Sequence, residues 1–316
     1  MRVAVDVGHG WVKAVASDGR REMFPALLAP EPAGLDLGPL GNGVHWVVVR
    51  ETGREEKYLM GEAASRLATH NWTQDKAADP ATLALVLAAT AMLDAQAPLE
   101  LAVGLPLSWF GRQREALRQA LWGRQASVRV AGREASIACE RVVVCPQGVG
   151  AAVHALQAGA IGEPGYHLVV DVGYRTTDWL VVEVDRDGAP HGLADLAGTV
   201  EQGIHDVHLA TARGLEADTG VSFREAELAG ATVVAHGREV DLTPYRDAPL
   251  AGLTDEIART VHVRMGDMVP KLRTVLLAGG GGQELAPRLR IGQAPHRVVP
   301  EPMWANALGF LRMLGC

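Results

Sequence analysis

One short pattern occurs twice in this chain, at its start and again past its middle. Residues 6–15 read DVGHGWVKAV and residues 171–182 read DVGYRTTDWLVV, and each follows an apolar run. Both read as a strand, an aspartate, a glycine, a polar turn and a returning strand. A repeat of this kind points to two lobes built on one plan, with the two turns facing each other across a cleft, and this limits the fold more than any bulk property does. The competing explanation is coincidence, because the repeated stretch is short. A length of 316 residues allows two such lobes.

Apolar, β-branched runs recur at 3–7, 44–49, 99–105, 141–145, 167–172, 177–184 and 273–279, each bounded by Gly, Pro or charged residues. Stretches with helical spacing lie between them, at 80–95, 109–122, 147–158, 200–215 and 250–267. The alternation predicts a mixed α/β protein. Residues 30–43, rich in Pro and Gly, and residues 217–249, irregular with short apolar pieces, read as insertions on that core.

Composition excludes several classes. The net charge of -7 and the lack of a Lys/Arg block argue against direct contact with nucleic acid. Cys139, Cys145 and Cys316 are an odd number without CxxC spacing, which fits neither a disulfide framework nor a zinc or iron-sulfur site and suits a reducing cytoplasm. The longest apolar stretch, 83–93, is too short for a membrane span, and no charged-then-apolar leader precedes the first strand. The expectation is a soluble, cytoplasmic chain.

The first turn has the makings of a phosphate site. Glycines at a bend let a ligand approach the backbone N–H groups. Asp6, at the strand end, is placed to hold a hydrated Mg2+, and Lys13 to reach phosphate oxygens. An ordinary hairpin with an exposed lysine is the alternative. In the second turn Asp171 repeats the carboxylate, Gly173 opens the bend, and Thr176 and Thr177 add hydroxyls ahead of Asp178, which could also be a turn cap. Gln147 heads a stretch with small residues (Gly148, Gly150, Ala151, Ala152) and would position a water for attack on a γ-phosphate, or else sit on the surface. The run LLAGGGG, 276–282, places a strand before four glycines. Such a run reads as a loop against which adenine and ribose lie, or as a linker.

These segments occur in a telling order: Asp6-x-Gly8-x-Gly10-x-x-Lys13, Gln147, Asp171-x-Gly173-x-x-Thr176-Thr177-Asp178, Gly279 to Gly282, and Trp304-Ala305-Asn306-Ala307-x-Gly309-Phe310. The order resembles that of the five nucleotide-site segments of the actin, sugar kinase and heat-shock chaperone ATPase superfamily. With GLPLSWF at 104–110, the chain looks most like the prokaryotic actin-like proteins of the ParM type. The resemblance implies two ribonuclease H-like lobes of actin type with a nucleotide cleft between them: residues 1–146 completed by a C-terminal helix over 302–316, and residues 147–301. It implies ATP, with GTP as the alternative, and Mg2+ held through water by Asp6 and Asp171, with Gln147, Asp171 and Asp6 serving catalysis. Nucleotide contacts would come from Gly8, His9, Gly10, Lys13, Gly173, Tyr174, Arg175, Thr176, Thr177, Gly203, Gly279, Gly280, Gly281 and Asn306. The implied activity is ATP hydrolysis coupled to a dynamic head-to-tail filament that segregates plasmid DNA through a DNA-binding adaptor.

Two departures stand out: Gln147 where many ParM-type proteins carry glutamate, and the large pair Tyr174-Arg175 in the second turn, which is expected to alter phosphate access. Two other functions share the fold, a sugar-type kinase and a non-polymerising chaperone-like ATPase. No Asp beside Gln147 offers the base a kinase needs, and 316 residues leave little room for a substrate-binding region. The run His205-Asp206-Val207-His208 suggests metal ligands or a histidine-aspartate phosphohydrolase, but no partner ligands are recognisable.

Overall fold

The computed structural model describes residues 1–30, 45–51, 53–65, 75–95 and 97–315. Most of the excursion expected at 30–43, the start of the run at 44–49, and Cys316 lie outside the described residues. In chain order the elements are β1 (Arg2–Val7), β2 (Trp11–Ala16), β3 (Arg21–Pro25), β4 (Leu28–Pro30), β5 (His45–Glu51), β6 (Arg54–Met60), α1 (Glu62–Ser65), α2 (Pro80–Met92), β7 (Leu99–Leu105), α3 (Leu107–Leu121), β8 (Gln125–Val130), β9 (Arg133–Pro146) and α4 (Val149–Gln157). They continue with β10 (Gly165–Val172), β11 (Thr177–Val184), β12 (Pro190–Val200), α5 (Ile204–Thr219), β13 (Thr232–Ala235), β14 (Arg238–Asp241), α6 (Thr243–Met265), β15 (Leu272–Ala278), α7 (Gly279–Leu285), β16 (His296–Val298) and α8 (Ala305–Leu314). The chain forms two compact units: Met1–His154 together with Asn306–Cys316, and Ala155–Ala305.

The first unit carries a sheet ordered β3-β2-β1-β7-β9-β8-β5-β6-β4. Its first three strands form an antiparallel meander, and β1, β7 and β9 run parallel. Helix α2 packs on this sheet and is buried from Thr82 to Ala91. It is apolar all round, as a helix enclosed by its neighbours must be. Pro80 at its first turn and Asp79, whose carboxylate accepts from the amides of Ala81 and Thr82, fix where it begins.

The second unit carries a sheet ordered β12-β11-β10-β15-β16. Here β12, β11 and β10 form the antiparallel meander, and β10, β15 and β16 run parallel. The repeat seen in the sequence therefore extends to a five-strand arrangement in the same order and sense. Leu168, Val170, Val181, Val275 and Leu277 form its core with Ile257 and Val261 of α6.

Three stretches differ from the sequence-based expectation. Helix α5 begins at Ile204 and not at 200, because β12 runs on to Val200. Helix α6 begins at Thr243 and continues through Pro249, where a start after the proline is expected from its missing N–H. The early turns are anchored from outside: the Tyr245 hydroxyl donates to Asp218 at 3.0 Å, and the Arg246 guanidinium donates to the carbonyls of Leu228 and Gly230. The glycine run at 279–282 is the opening of helix α7 and not a loop. No helix among the described residues is long and apolar enough to cross a membrane.

Candidate functional site

In the first unit, β1 and β2 pair in a register that sets Asp6 opposite Lys13. Directly opposed residues share a face of the sheet, and the two form an ion pair at 3.3 Å with the carboxylate almost wholly buried. Gly8 donates its amide to the Trp11 carbonyl at 3.0 Å and closes the turn. A Cβ at position 8 would stand 2.8 Å from that oxygen, so the bend excludes any side chain there. The His9 ring meets Trp109 of α3 edge-on at 5.6 Å, and the carbonyl of Gly10 accepts from Ala26.

Gln147 enters the same cluster from the end of β9. Its backbone amide donates to Leu105 and its side-chain Nε2 donates to Asp6 Oδ1 at 2.7 Å. That bond orients the carboxamide and directs its oxygen, an acceptor, elsewhere. Asn306, expected among the nucleotide contacts, has a structural part as well: its Oδ1 accepts from the amides of Gly148 and Ala151, each at 3.1 Å, capping α4 from another helix. The small residues after Gln147 are also accounted for by packing. A Cβ at Gly150 would stand 2.5 Å from the Phe310 ring, and one at Gly309 only 1.9 Å from the Gly150 carbonyl.

In the second unit the construction repeats. The register sets Asp171 opposite Asp178, the Gly173 amide donates to the Thr176 carbonyl at 2.9 Å, and a Cβ on Gly173 would stand 2.9 Å from that oxygen. Asp178 accepts from the Thr199 hydroxyl. Thr177 is fully buried, and its hydroxyl donates to the Gln202 carbonyl at 2.9 Å, so it braces the turn from inside. Thr176 is buried and Arg175 half-buried. Gly203 lies against the turn: a Cβ there would be 2.5 Å from the Tyr174 carbonyl, and the amides of Ile204 and His205 donate to Gly173 and Tyr174.

Tyr174 does not stand over the turn. Its ring packs into the core of its own unit, against His205 at 5.5 Å and His208 at 5.9 Å. Burial, and then the Glu225 carboxylate beside it, push the phenol far above its ordinary range. His205 Nδ1 bonds to Glu225, which gives the histidines a structural setting. Burial lowers the pKa of His208. Among the described residues no group of three or more His, Cys, Asp or Glu could hold a metal ion directly.

The glycines of α7 meet protein atoms. Gly279 has φ +78°, and a Cβ there would stand 2.3 Å from the Val172 carbonyl and 2.6 Å from Asp171 Oδ1. Gly281 lies against Val172 and Ile204, whereas Gly280 is exposed. One residue escaped the sequence reading. Lys76, buried and ahead of α2, donates from its ammonium to the carbonyl of Val7, next to Asp6. No motif surrounds it. In the sequence it is one lysine of a polar stretch, between Asp75 and Ala77.

Residues 4–150 match the family model of the actin like proteins N terminal domain, and residues 169–291 that of the archaeal actin homologue MreB-like C-terminal part. The chain belongs to the actin-like proteins. An archaeal actin homologue of Thermoplasma acidophilum is 28% identical to this actin-like protein over 334 residues, covering 98% of this chain and 97% of the relative. Among solved structures, an archaeal actin homologue in complex with ADP superposes with a TM-score of 0.78 at 25% identity, covering 99% of each chain. A 15-stranded ParM filament from Clostridium botulinum gives a TM-score of 0.87 at 20% identity, covering 99% of this actin-like protein and 98% of that chain, a likeness of fold.

Proposed function

We propose that the chain binds and hydrolyses ATP with Mg2+ and polymerises into dynamic filaments. The observation that carries this reading is the phosphate turn built twice, with a carboxylate at each strand end and a glycine amide closing each bend. The donor set suits the ion: Mg2+ keeps most of its waters and takes one or two carboxylates together with phosphate oxygens, so an all-protein cage is not needed. When bound, the ion supplies charge neutralisation between the phosphates being separated.

In this reading Asp6 and Asp171 accept hydrogen bonds from the waters around the ion, and Lys13 and the turn amides face phosphate oxygens. Gln147, held by Asp6, presents its carboxamide oxygen to the attacking water. The ADP-bound archaeal homologue supports nucleotide binding, and the ParM filament supports self-association. A subunit that joins head to tail without closing a ring grows as an open filament. The cargo we infer is plasmid DNA held by an adaptor, in the cytoplasm; the negative net charge supports an adaptor over direct DNA contact. The test is sedimentation and electron microscopy across a protein titration with a slowly hydrolysed ATP analogue, with ADP and with no nucleotide, alongside phosphate release. Filaments with analogue and a higher critical concentration with ADP are expected. Monomer throughout at saturating analogue refutes the filament, and no nucleotide binding refutes the whole reading.

A further inference from the structure

Glu225 lies in the irregular stretch after α5, at the start of a short 3-10 helix, Glu225–Ala229, whose beginning is fixed by the Arg224 amide donating to Glu227 Oε2 at 2.9 Å. This helix is rooted away from the sheet. Leu228 packs with Leu215, Val233 and Leu242 in a small core, and Arg246 donates to the carbonyls of Leu228 and Gly230. From there the Glu225 side chain reaches back to the second turn. It accepts from the Tyr174 hydroxyl, which belongs to the bend, and from His205 Nδ1, at the start of α5, with the His205 and Glu225 side chains both largely buried. Withdrawing a carboxylate from water is costly unless donors satisfy it, so such a contact is not lightly broken.

The two donors come from the pieces that make the turn. The amides of Ile204 and His205 donate to the carbonyls of Gly173 and Tyr174, and Gly203 has no room for a Cβ beside them. The backbone thus joins the bend to the start of α5, and the Glu225 carboxylate joins the same two pieces through their side chains. A phenylalanine would pack against His205 and His208 as the Tyr174 ring does, so packing does not account for the hydroxyl or for the carboxylate that receives it. We propose that Glu225 is a positioning residue of the second turn, which by holding Tyr174 and His205 together fixes the bend in the shape that meets phosphate and ties nucleotide affinity to the segment after α5. A bend ordered before the ligand arrives binds without the cost of ordering it. This rests on the nucleotide-binding reading above.

The experiment combines hydrogen exchange and melting of the full chain without nucleotide with calorimetric binding of Mg·ADP, for wild type, Tyr174→Phe, Glu225→Ala and the double variant. Exchange should quicken in peptides covering 172–178 and 203–208 and stay unchanged in peptides covering 6–13. Losing a hydrogen bond to a charged group predicts a Kd for ADP raised about tenfold in Tyr174→Phe. Glu225→Ala should lose at least as much, and the double variant no more than Glu225→Ala, because both changes break one contact. Binding by Tyr174→Phe within twofold of wild type overturns the proposal. So do losses that add in the double variant, which would assign the two residues separate roles. Exchange that quickens equally in 6–13, or a Tyr174→Phe protein that melts far lower, makes the contact a strut of the fold and also overturns it. If Glu225→Ala fails to fold, Tyr174→Phe decides by the same readouts. Wild type that binds no ADP removes the nucleotide reading itself, an outcome seen without any variant and so distinct from the others.

Discussion

The two turns share a backbone and differ in charge. In the first, the strand-end carboxylate faces an ammonium and accepts from a carboxamide, through Asp6, Lys13 and Gln147. In the second, the equivalent carboxylate faces another carboxylate, Asp171 opposite Asp178, with a hydroxyl from Thr199 on the latter. The first is a neutralised pair, and Lys76 donates to the carbonyl of Val7 beside it. The second sets two carboxylates in register across the strand pair, with Arg175 at the bend that joins them. One plan thus carries an ion pair at one turn and two carboxylates at the other; in the nucleotide-binding reading proposed above, that difference would suit the first to phosphate and the second to a cation.

The strongest way to break this comparison is Asp171→Ala. If the second turn is the cation-seeking one, phosphate release should fall by about a thousandfold, the scale associated with losing a major electrostatic contributor to the transition state. Near wild-type turnover would place the metal elsewhere. Next comes Gln147→Ala, which should slow release about a hundredfold while leaving ADP affinity and assembly intact, because orienting a water matters to the chemical step alone. Filaments seen by electron microscopy should then outlast wild-type ones. The backbone half of the comparison is sharpened by Gly8→Ala and Gly173→Ala. Each introduces a Cβ less than 3 Å from a turn carbonyl, so each should weaken ADP binding about tenfold in calorimetry, a cost of the order of 1.4 kcal/mol. A large effect at one position and none at the other would show that only one turn meets phosphate.

The smallest effect is one of pH and belongs to the second unit. Burial lowers the pKa of His208 below the ordinary value of 6.5, so the folded protein resists a proton that the unfolded chain accepts. Stability is therefore full above about 6.5 and declines as pH falls toward the folded pKa. Melting temperature should drop by a few degrees between pH 7 and 5.5, and His208→Phe should flatten part of that slope. His296, also lowered by burial, accounts for some of the remainder.

Much of the fold was legible because strands announce themselves locally, through apolar runs bounded by Gly, Pro and charge, and because the aspartate-glycine turn came twice. What stayed hidden depends on neighbours distant in the chain. Four glycines read as a loop because glycine disfavours helix, yet Gly279 and Gly281 open α7 where Val172, Asp171 and Ile204 leave no room for a Cβ. Tyr174 read as an obstacle in the turn because the direction of a side chain cannot be inferred without His205, His208 and Glu225 around it. Lys76 has no motif at all; its meaning arises only when its turn is folded against the end of β1. The capping role of Asn306 was equally hidden, because its place in the last segment carried no sign that α4 needed a cap.

That cap has a consequence for how the protein is made. The first unit is assembled from both ends of the chain: Asn306 closes the start of α4, Phe310 lies against Gly104 and Gly150, and Arg141 donates to the carbonyl of Leu314. A ribosome therefore finishes every residue of the second unit before it releases the helix that completes the first. A chain that lacks α8 has the sheet but no helix to cap the start of α4. The start of α4 therefore stays uncapped until α8 has been made, and a bulky fusion placed directly after Leu314 would disturb the same closing step.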